Sequence, residues 1–169
     1  MSPSRTKTIA LLSVAALAGS TATAVSATGH DRKADGVPPG PIVRSTLAPS
    51  SPGDPVLHAV APGGLPWALT RGDARLRGDG SLRVRVRGLV LPGAPGNGTP
   101  GPVTTVSASL YCGTDTTAVG TTPAAPIARD GDARMEGELA LPAKCVAPVV
   151  LVHPNGNAAT YIAATGFGA

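Results

Sequence analysis

The sequence is poor in aromatic residues, and this scarcity argues against one common class of function. Its 169 residues include one Trp, two Tyr and one Phe. Proteins that bind single-stranded nucleic acid without sequence preference need several aromatic side chains on one surface, because the bases stack on them. We therefore do not expect nucleic acid to be the partner, although the chain carries 14 basic against 10 acidic residues.

Long apolar runs are absent after residue 27. The N-terminal segment combines basic Arg5 and Lys7, an apolar run over residues 9–18 and the small residues of TATAVSA, a pattern typical of a secretory signal peptide. Cleavage after Ala24 and cleavage after Ala27 fit equally well, and the apolar run is too short for a stable membrane anchor. Residues 1–27 therefore predict a secreted, extracellular protein without a membrane span in its mature form.

Cysteine is also scarce, since the chain contains two, Cys112 and Cys145. Two cysteines without nearby histidines cannot complete the tetrahedral shell of a zinc site. In an exported protein an even number of cysteines indicates a disulfide, and two cysteines allow one intramolecular pairing. We predict a disulfide between Cys112 and Cys145, with no metal ion and no cofactor.

Helical periodicity is missing along the whole chain, and the composition changes near residue 61. Residues 28–60 are rich in Pro, Gly, Ser and Asp and bury too little apolar surface to offset their ordering entropy, so we predict a disordered spacer. In residues 61–169, short segments rich in Val, Leu, Ala and Thr alternate with Gly, Pro, Asn and Asp turns. This pattern is typical of an antiparallel sandwich or barrel, and we expect one all-β domain, an antiparallel β-sandwich of immunoglobulin-like type.

A hairpin can be derived from DARLRGDGSLRVRVRGL, residues 73–89. A two-residue turn would place Leu76 opposite Arg83 and bury a charge, whereas a three-residue loop over residues 78–80 places Leu76 opposite Leu82. The same loop sets the other pairs of the two strands in register, Ala74 with Val84 and Asp73 with Arg85. Gly80 then takes the left-handed position of a bulge-type hairpin. The Arg-Gly-Asp tripeptide at residues 77–79 is explained by this turn and does not require an adhesion function.

The outward positions of this hairpin are rich in arginine. Successive outward residues of one strand lie roughly 7 Å apart, a spacing that suits a polymer with regularly spaced negative charges. We predict a candidate polyanion-binding strip that consists of Arg75, Arg77, Arg83, Arg85 and Arg87. Its partner would be an anionic cell-wall polymer or polysaccharide, such as wall teichoic acid. The alternative is an ordinary charged face that keeps a β-sheet soluble and blocks edge pairing.

A later strand carries Glu136 and Glu138 on one row, which would pair with the arginines if the strands are neighbours.

A catalytic set is not evident in residues 61–169. His153 is their single histidine, and no serine or threonine lies in a nucleophile-elbow pattern. The carboxylates of Asp130, Asp132 and Glu136 lack the spacing of a closed calcium loop. We predict no catalytic residue and a non-enzymatic function. The alternatives are a secreted enzyme with a cryptic site between the loop of residues 89–103 and His153, and a purely structural extracellular domain.

Two resemblances are consistent with this prediction. The segment GDARLRGDGSLRVRVRGLVLPGAPGNGTPGPVTTVSASLYCG, with the closing LPAKCVAPVVLVHPNGNAATYIAATGF, resembles a group of small exported proteins of high-GC bacteria without an established function. More distantly, GSLRVRVRGL followed by VVLVHPNGNAATYIAATGF is similar to the chordin-type domain, which implies a β-sandwich. That family carries a His-x-His strand and an Asn-Val-His-Thr motif. The matching strand here reads VSASLYCG without histidine, and His153 is followed by Pro154, so the metal-related role does not carry over.

Overall fold

The computed structural model describes residues 40–166, in which every regular element is a β-strand. The predicted signal peptide, residues 1–27, lies outside the described residues, as does Phe167. The strands are β1 (Pro41–Pro49), β2 (Ala61–Pro62), β3 (Arg71–Arg77), β4 (Ser81–Arg87), β5 (Thr105–Tyr111), β6 (Gly120–Thr121), β7 (Ala125–Pro126), β8 (Ala133–Glu138), β9 (Val149–Pro154), β10 (Thr160–Tyr161) and β11 (Ala163–Thr165). The predicted all-β class is confirmed.

The strands form one nearly closed, nine-stranded sheet in the order β6-β5-β9-β11-β1-β3-β4-β8, with β7 also paired to β5. All of its pairs are antiparallel, and the short β2–β10 pair outside it is parallel. Strand β1 pairs with β3 through residues 41–46 and with β11 through residues 47–49. It thereby joins a first half of the sheet (β1, β3, β4, β8) to a second half (β5, β6, β7, β9, β11).

The core lies between the inward faces of the two halves. The first half contributes residues such as Leu76, Leu82 and Met135, and the second half contributes residues such as Leu110 and Val152, all with no exposed surface. Full burial of one such side chain stabilises the fold by roughly 1.5–3 kcal/mol, so this shared cluster is the main source of stability. Trp67 is 8% exposed and belongs to the same cluster.

The predicted hairpin register is confirmed at every pair. Leu76 lies opposite Leu82, Ala74 opposite Val84 and Asp73 opposite Arg85. Gly80 has a φ of +90°, and a Cβ there would clash with the carbonyl oxygen of Leu139, so this turn requires glycine on two grounds. The Asp79 carboxylate accepts hydrogen bonds from the backbone N–H (2.9 Å) and the hydroxyl (2.8 Å) of Ser81, which lower its pKa. The Arg-Gly-Asp tripeptide of residues 77–79 therefore lies at the end of β3 and in the turn of the hairpin.

The predicted disulfide is confirmed. Cys112 follows β5 directly, Cys145 lies shortly before β9, and their Cα atoms are 5.0 Å apart. The two cysteines are 33 residues apart in sequence. The bond therefore closes the long connection between two neighbouring strands of the second half.

The predicted disordered spacer is wrong for residues 41–60. Residues 41–49 form β1, which lies between β3 and β11, with Val43 7% and Leu47 6% exposed. The chain then crosses the outer face of the second half, where Val60 is buried and the His58 ring stacks on Tyr111 at 4.8 Å. Composition misled the prediction, because a few apolar residues among many prolines are enough when both neighbouring strands supply hydrogen bonds.

The closing part of the chain contains the central strand β9, a turn, a short strand that pairs outside the main sheet, and the strand β11. Strand β9 is central, with β5 on one side and β11 on the other. Asn155 and Gly156 both have positive φ, and the Asn157 N–H donates to the carbonyl of Pro154 at 2.9 Å, so residues 155–157 form a turn after β9. The chain does not return directly, however. Strand β10 first pairs with β2, and only β11 then pairs with β9.

Candidate polyanion-binding surface

Alternation along β3 and β4 creates a surface that consists mainly of arginine. Apolar residues of these strands point into the core, so every second residue points outward. The same holds for the flanking strands β1 and β8. Eight exposed arginines share this outer face of the first half, which we call the arginine face: Arg44, Arg71, Arg75, Arg77, Arg83, Arg85, Arg87 and Arg134.

The arginine face concentrates the positive charge of the described chain. Residues 40–166 contain ten lysines and arginines, and the two that lie elsewhere are Arg129 and Lys144. The strands of the second half contain no Lys, Arg, Asp or Glu at all. Charge is therefore segregated onto one half of the sheet.

The register places like charges directly opposite one another. Four cross-strand pairs join two arginines: Arg44 with Arg75, Arg71 with Arg87, Arg75 with Arg83, and Arg85 with Arg134. Opposite side chains in a sheet start about 4.5–5.5 Å apart, and like charges at that position destabilise the pairing. A face needed only for solubility would gain more from charges of both signs, so the arrangement costs stability.

One carboxylate, that of Glu136, partly neutralises the arginine face at one border. Glu136 on β8 contacts Arg83 at 3.3 Å between Oε1 and Nε, and it accepts a 2.8 Å hydrogen bond from Nε of Arg134. The hydrogen bond from Arg134 and the charges of Arg134, Arg83 and Arg85 lower the pKa of Glu136. The predicted pairing of the glutamate row with the arginine row is confirmed for Glu136, whereas Glu138 lies opposite Ser81. Within residues 40–166 six arginines of the face have no ion-pair partner: Arg44, Arg71, Arg75, Arg77, Arg85 and Arg87.

The structure brings all five predicted strip residues together. They line a groove of about 360 Å³ whose walls are Arg71, Asp73, Arg75, Arg77, Arg83, Arg85 and Arg87. Sequence reasoning missed Arg44, because it was assigned to the spacer, and Arg134, because its strand was considered only for its glutamates. It also missed Arg71, although this residue continues the alternation two positions before Asp73. Chemically, the groove offers planar guanidinium groups that can bind phosphate or carboxylate oxygens in pairs.

The three carboxylates considered for calcium are already engaged within the protein. Asp130 accepts a 3.1 Å hydrogen bond from the backbone N–H of Asp132, and Asp132 accepts one of 3.0 Å from the N–H of Gly88. Glu136 holds the two arginines described above. In the described range, no group of three or more His, Cys, Asp and Glu residues lies close enough together to hold a metal ion.

His153 lies on the outer side of β9 and is 1% exposed. Its Nδ1 lies 2.8 Å from the carbonyl oxygen of Thr160, so Nδ1 carries the proton, and its buried Nε2 has no hydrogen-bond partner among the described residues. Burial lowers the pKa of His153, and the bond to Thr160 opposes that effect. The residue directly opposite on β5 is Ser107.

Two cavities lie beside the loop of residues 89–103. A cleft of about 610 Å³ lies between the loop and residues 127–129. A smaller apolar pocket of about 160 Å³ lies between Trp67, Leu91 and Ile162. The His153 side chain lines neither of them. The smaller pocket does bring the loop next to Pro154 and Thr160, the sequence neighbour and the hydrogen-bond partner of His153.

Comparison with known proteins does not add a family assignment. No protein-family model, no curated protein and no solved structure matches the chain significantly. Within residues 40–166 there is also no helix with the length and apolar character needed to cross a membrane. The geometry of the arginine face is therefore the main basis for a functional proposal.

Proposed function

We propose that this protein is a secreted, non-enzymatic β-sandwich module that holds an anionic polymer of the cell envelope on its arginine face. The observation that carries the proposal is the segregation of eight of the ten lysines and arginines of residues 40–166 onto one open sheet face. Two observations support the sandwich arrangement. Strand β1 pairs with both halves of the sheet, and the inward faces of the two halves meet in one core. The disulfide supports export, because such bonds persist in oxidising compartments.

Electrostatics favours a polymer over a small anion. Exposed single ion pairs contribute little, typically about 0–1 kcal/mol each. A chain of linked negative charges can contact several arginines at once, so the contacts add without a new association cost for each one. The groove offers six arginines along two neighbouring strands, which matches an extended ligand.

Aromatic placement supports an envelope polymer over nucleic acid. The three aromatic residues of the described chain are buried, with Trp67 at 8%, Tyr111 at 4% and Tyr161 at 2% exposure. Tyr111 and Tyr161 lie outside the strands of the arginine face, and Trp67 packs in the core on the opposite side of these strands. Bases would find no stacking platform there.

Retention of the purified mature protein on isolated cell walls tests the proposal. We expect the wild type to be retained at low salt and released as salt increases, because bound arginines displace counterions from the polymer. The triple variant of Arg83, Arg85 and Arg87→Ala should lose most of this retention. The control is the double variant of Arg129→Ala and Lys144→Ala, which removes exposed charges outside the face and should bind like the wild type. Equal retention of the triple variant and the wild type would refute the proposal.

A further inference from the structure

One carboxylate interrupts the arginine face at its centre. Asp73 lies on β3, two residues from both Arg71 and Arg75 and directly opposite Arg85 on β4. On the other side its neighbour is the exposed Thr46 of β1. Asp73 is half-buried and is the one acidic residue that lines the groove. A short side chain among long arginines forms the floor of the groove.

Asp73 does not behave as a charge-balancing residue. Glu136, at the border of the same face, makes ion pairs with Arg83 and Arg134. Asp73 has arginine neighbours on three sides but makes no ion pair and accepts no side-chain hydrogen bond within residues 40–166. Its carboxylate oxygens therefore remain available to a ligand in the groove.

We propose that Asp73 selects a polyol phosphate polymer, by accepting a hydrogen bond from a ligand hydroxyl while the surrounding arginines hold its phosphates. This inference rests on the proposed function and names the ligand class. A polymer that carries only negative charge gains nothing from a carboxylate on the groove floor and is repelled by it. A polymer in which hydroxyls alternate with phosphates satisfies both groups at once, because Arg71 and Arg75 flank Asp73 at roughly 7 Å.

Asp73 affects the discrimination between ligands more than the overall affinity. A hydrogen bond to a charged group is stronger than one between neutral groups, and an acceptor left unpaired against a ligand weakens binding by a comparable factor. A polymer without hydroxyl groups leaves the Asp73 oxygens unpaired and adds charge repulsion. The residue thus reduces binding of a plain polyanion and improves binding of a hydroxylated one.

The test compares two polymers and two variants that remove one carboxylate each. Poly(glycerol phosphate) carries a hydroxyl in each repeat, and inorganic polyphosphate of similar length carries none. We expect Asp73→Ala to bind polyphosphate about two- to fivefold more tightly, since repulsion is removed, and to bind poly(glycerol phosphate) about three- to tenfold more weakly. The matched control, Glu136→Ala, should bind both polymers somewhat more tightly.

The readout is the ratio of the two dissociation constants, which a partly unfolded sample does not change. Asp73→Asn is the second variant and should shift the ratio in the same direction by a smaller amount, because its amide oxygen still accepts a hydrogen bond. The inference is overturned if Asp73→Ala and Glu136→Ala change the ratio equally. That outcome leaves the proposed function intact, whereas the proposed function fails if the triple arginine variant binds both polymers like the wild type.

Discussion

The two halves of the sheet share one core but have opposite outer faces. The outer face of the first half is open among the described residues and carries eight arginines. The outer face of the second half, which we call the covered face, includes Tyr111 and Leu151 and lies under the chain of residues 55–62. Tyr161 fixes this cover by donating a 2.8 Å hydrogen bond from its hydroxyl to the carbonyl of Pro55.

The covered face stabilises the fold, whereas the arginine face is the surface proposed for binding. The covered face buries apolar surface and therefore stabilises the fold. The arginine face buries little and places like charges opposite each other, so it contributes little or costs stability. A surface that the fold does not need for stability is a better candidate for binding, and the following predictions test that division.

Loss of the disulfide should produce the largest loss of stability and leave binding unchanged. The bond closes a loop with a sequence separation of 33 residues, for which the chain-entropy account gives about 3–4 kcal/mol. We expect the double variant of Cys112→Ser and Cys145→Ser to unfold at a correspondingly lower urea concentration. Reduced wild type is the control and should match it. Loss of polymer binding by the still-folded variant would contradict the division between the halves.

Truncation on the covered face should cost far more than truncation on the arginine face. Leu151 is fully buried beneath the cover, and Arg83 is an exposed outward residue of β4. We expect Leu151→Ala to lower the free energy of unfolding by roughly 2–4 kcal/mol, because it leaves a cavity. Arg83→Ala should change it by less than about 0.5 kcal/mol. Similar losses for both variants in urea unfolding would mean that the two outer faces do not differ as described.

Acid should weaken the second half through His153. Burial lowers the pKa of His153 in the folded protein, below the ordinary imidazole value of about 6.5 that it regains on unfolding. The unfolded chain then binds more protons, so stability is complete above about pH 6.5 and falls as the pH drops from there toward the lowered pKa. His153→Gln has no such titration. We expect the wild type to lose stability relative to this variant between pH 7 and 5, and parallel pH profiles of thermal unfolding would contradict the assignment.

Strand register could be predicted from the sequence where one face of a strand is apolar and the other is polar. Strict alternation in β4 determined its register with β3, because a one-residue slip would bury arginines. The same reasoning failed for β9 and β11, which are apolar on both sides and so leave the register open. The apolar residues on both sides of β9, Val150 and Val152 on one and Val149 and Leu151 on the other, were a signal that something covers the second half. The cover came from residues 55–62, in a segment whose prolines and glycines concealed two apolar anchors, Leu57 and Val60.

Removal of one arginine pair should have the smallest effect on stability and should have the opposite sign. Arg71 and Arg87 lie directly opposite each other on β3 and β4. Their repulsion is relieved in the double variant of Arg71→Gln and Arg87→Gln, so we expect stability to rise by a few tenths of a kcal/mol at low salt. High salt should erase this gain, because exposed charges are screened. The double variant of Arg129→Gln and Lys144→Gln removes the same net charge elsewhere and serves as the control. A protein that becomes more stable while it loses cell-wall binding would indicate that the arginine pair is retained for its ligand; a loss of stability would instead assign the pair to the fold.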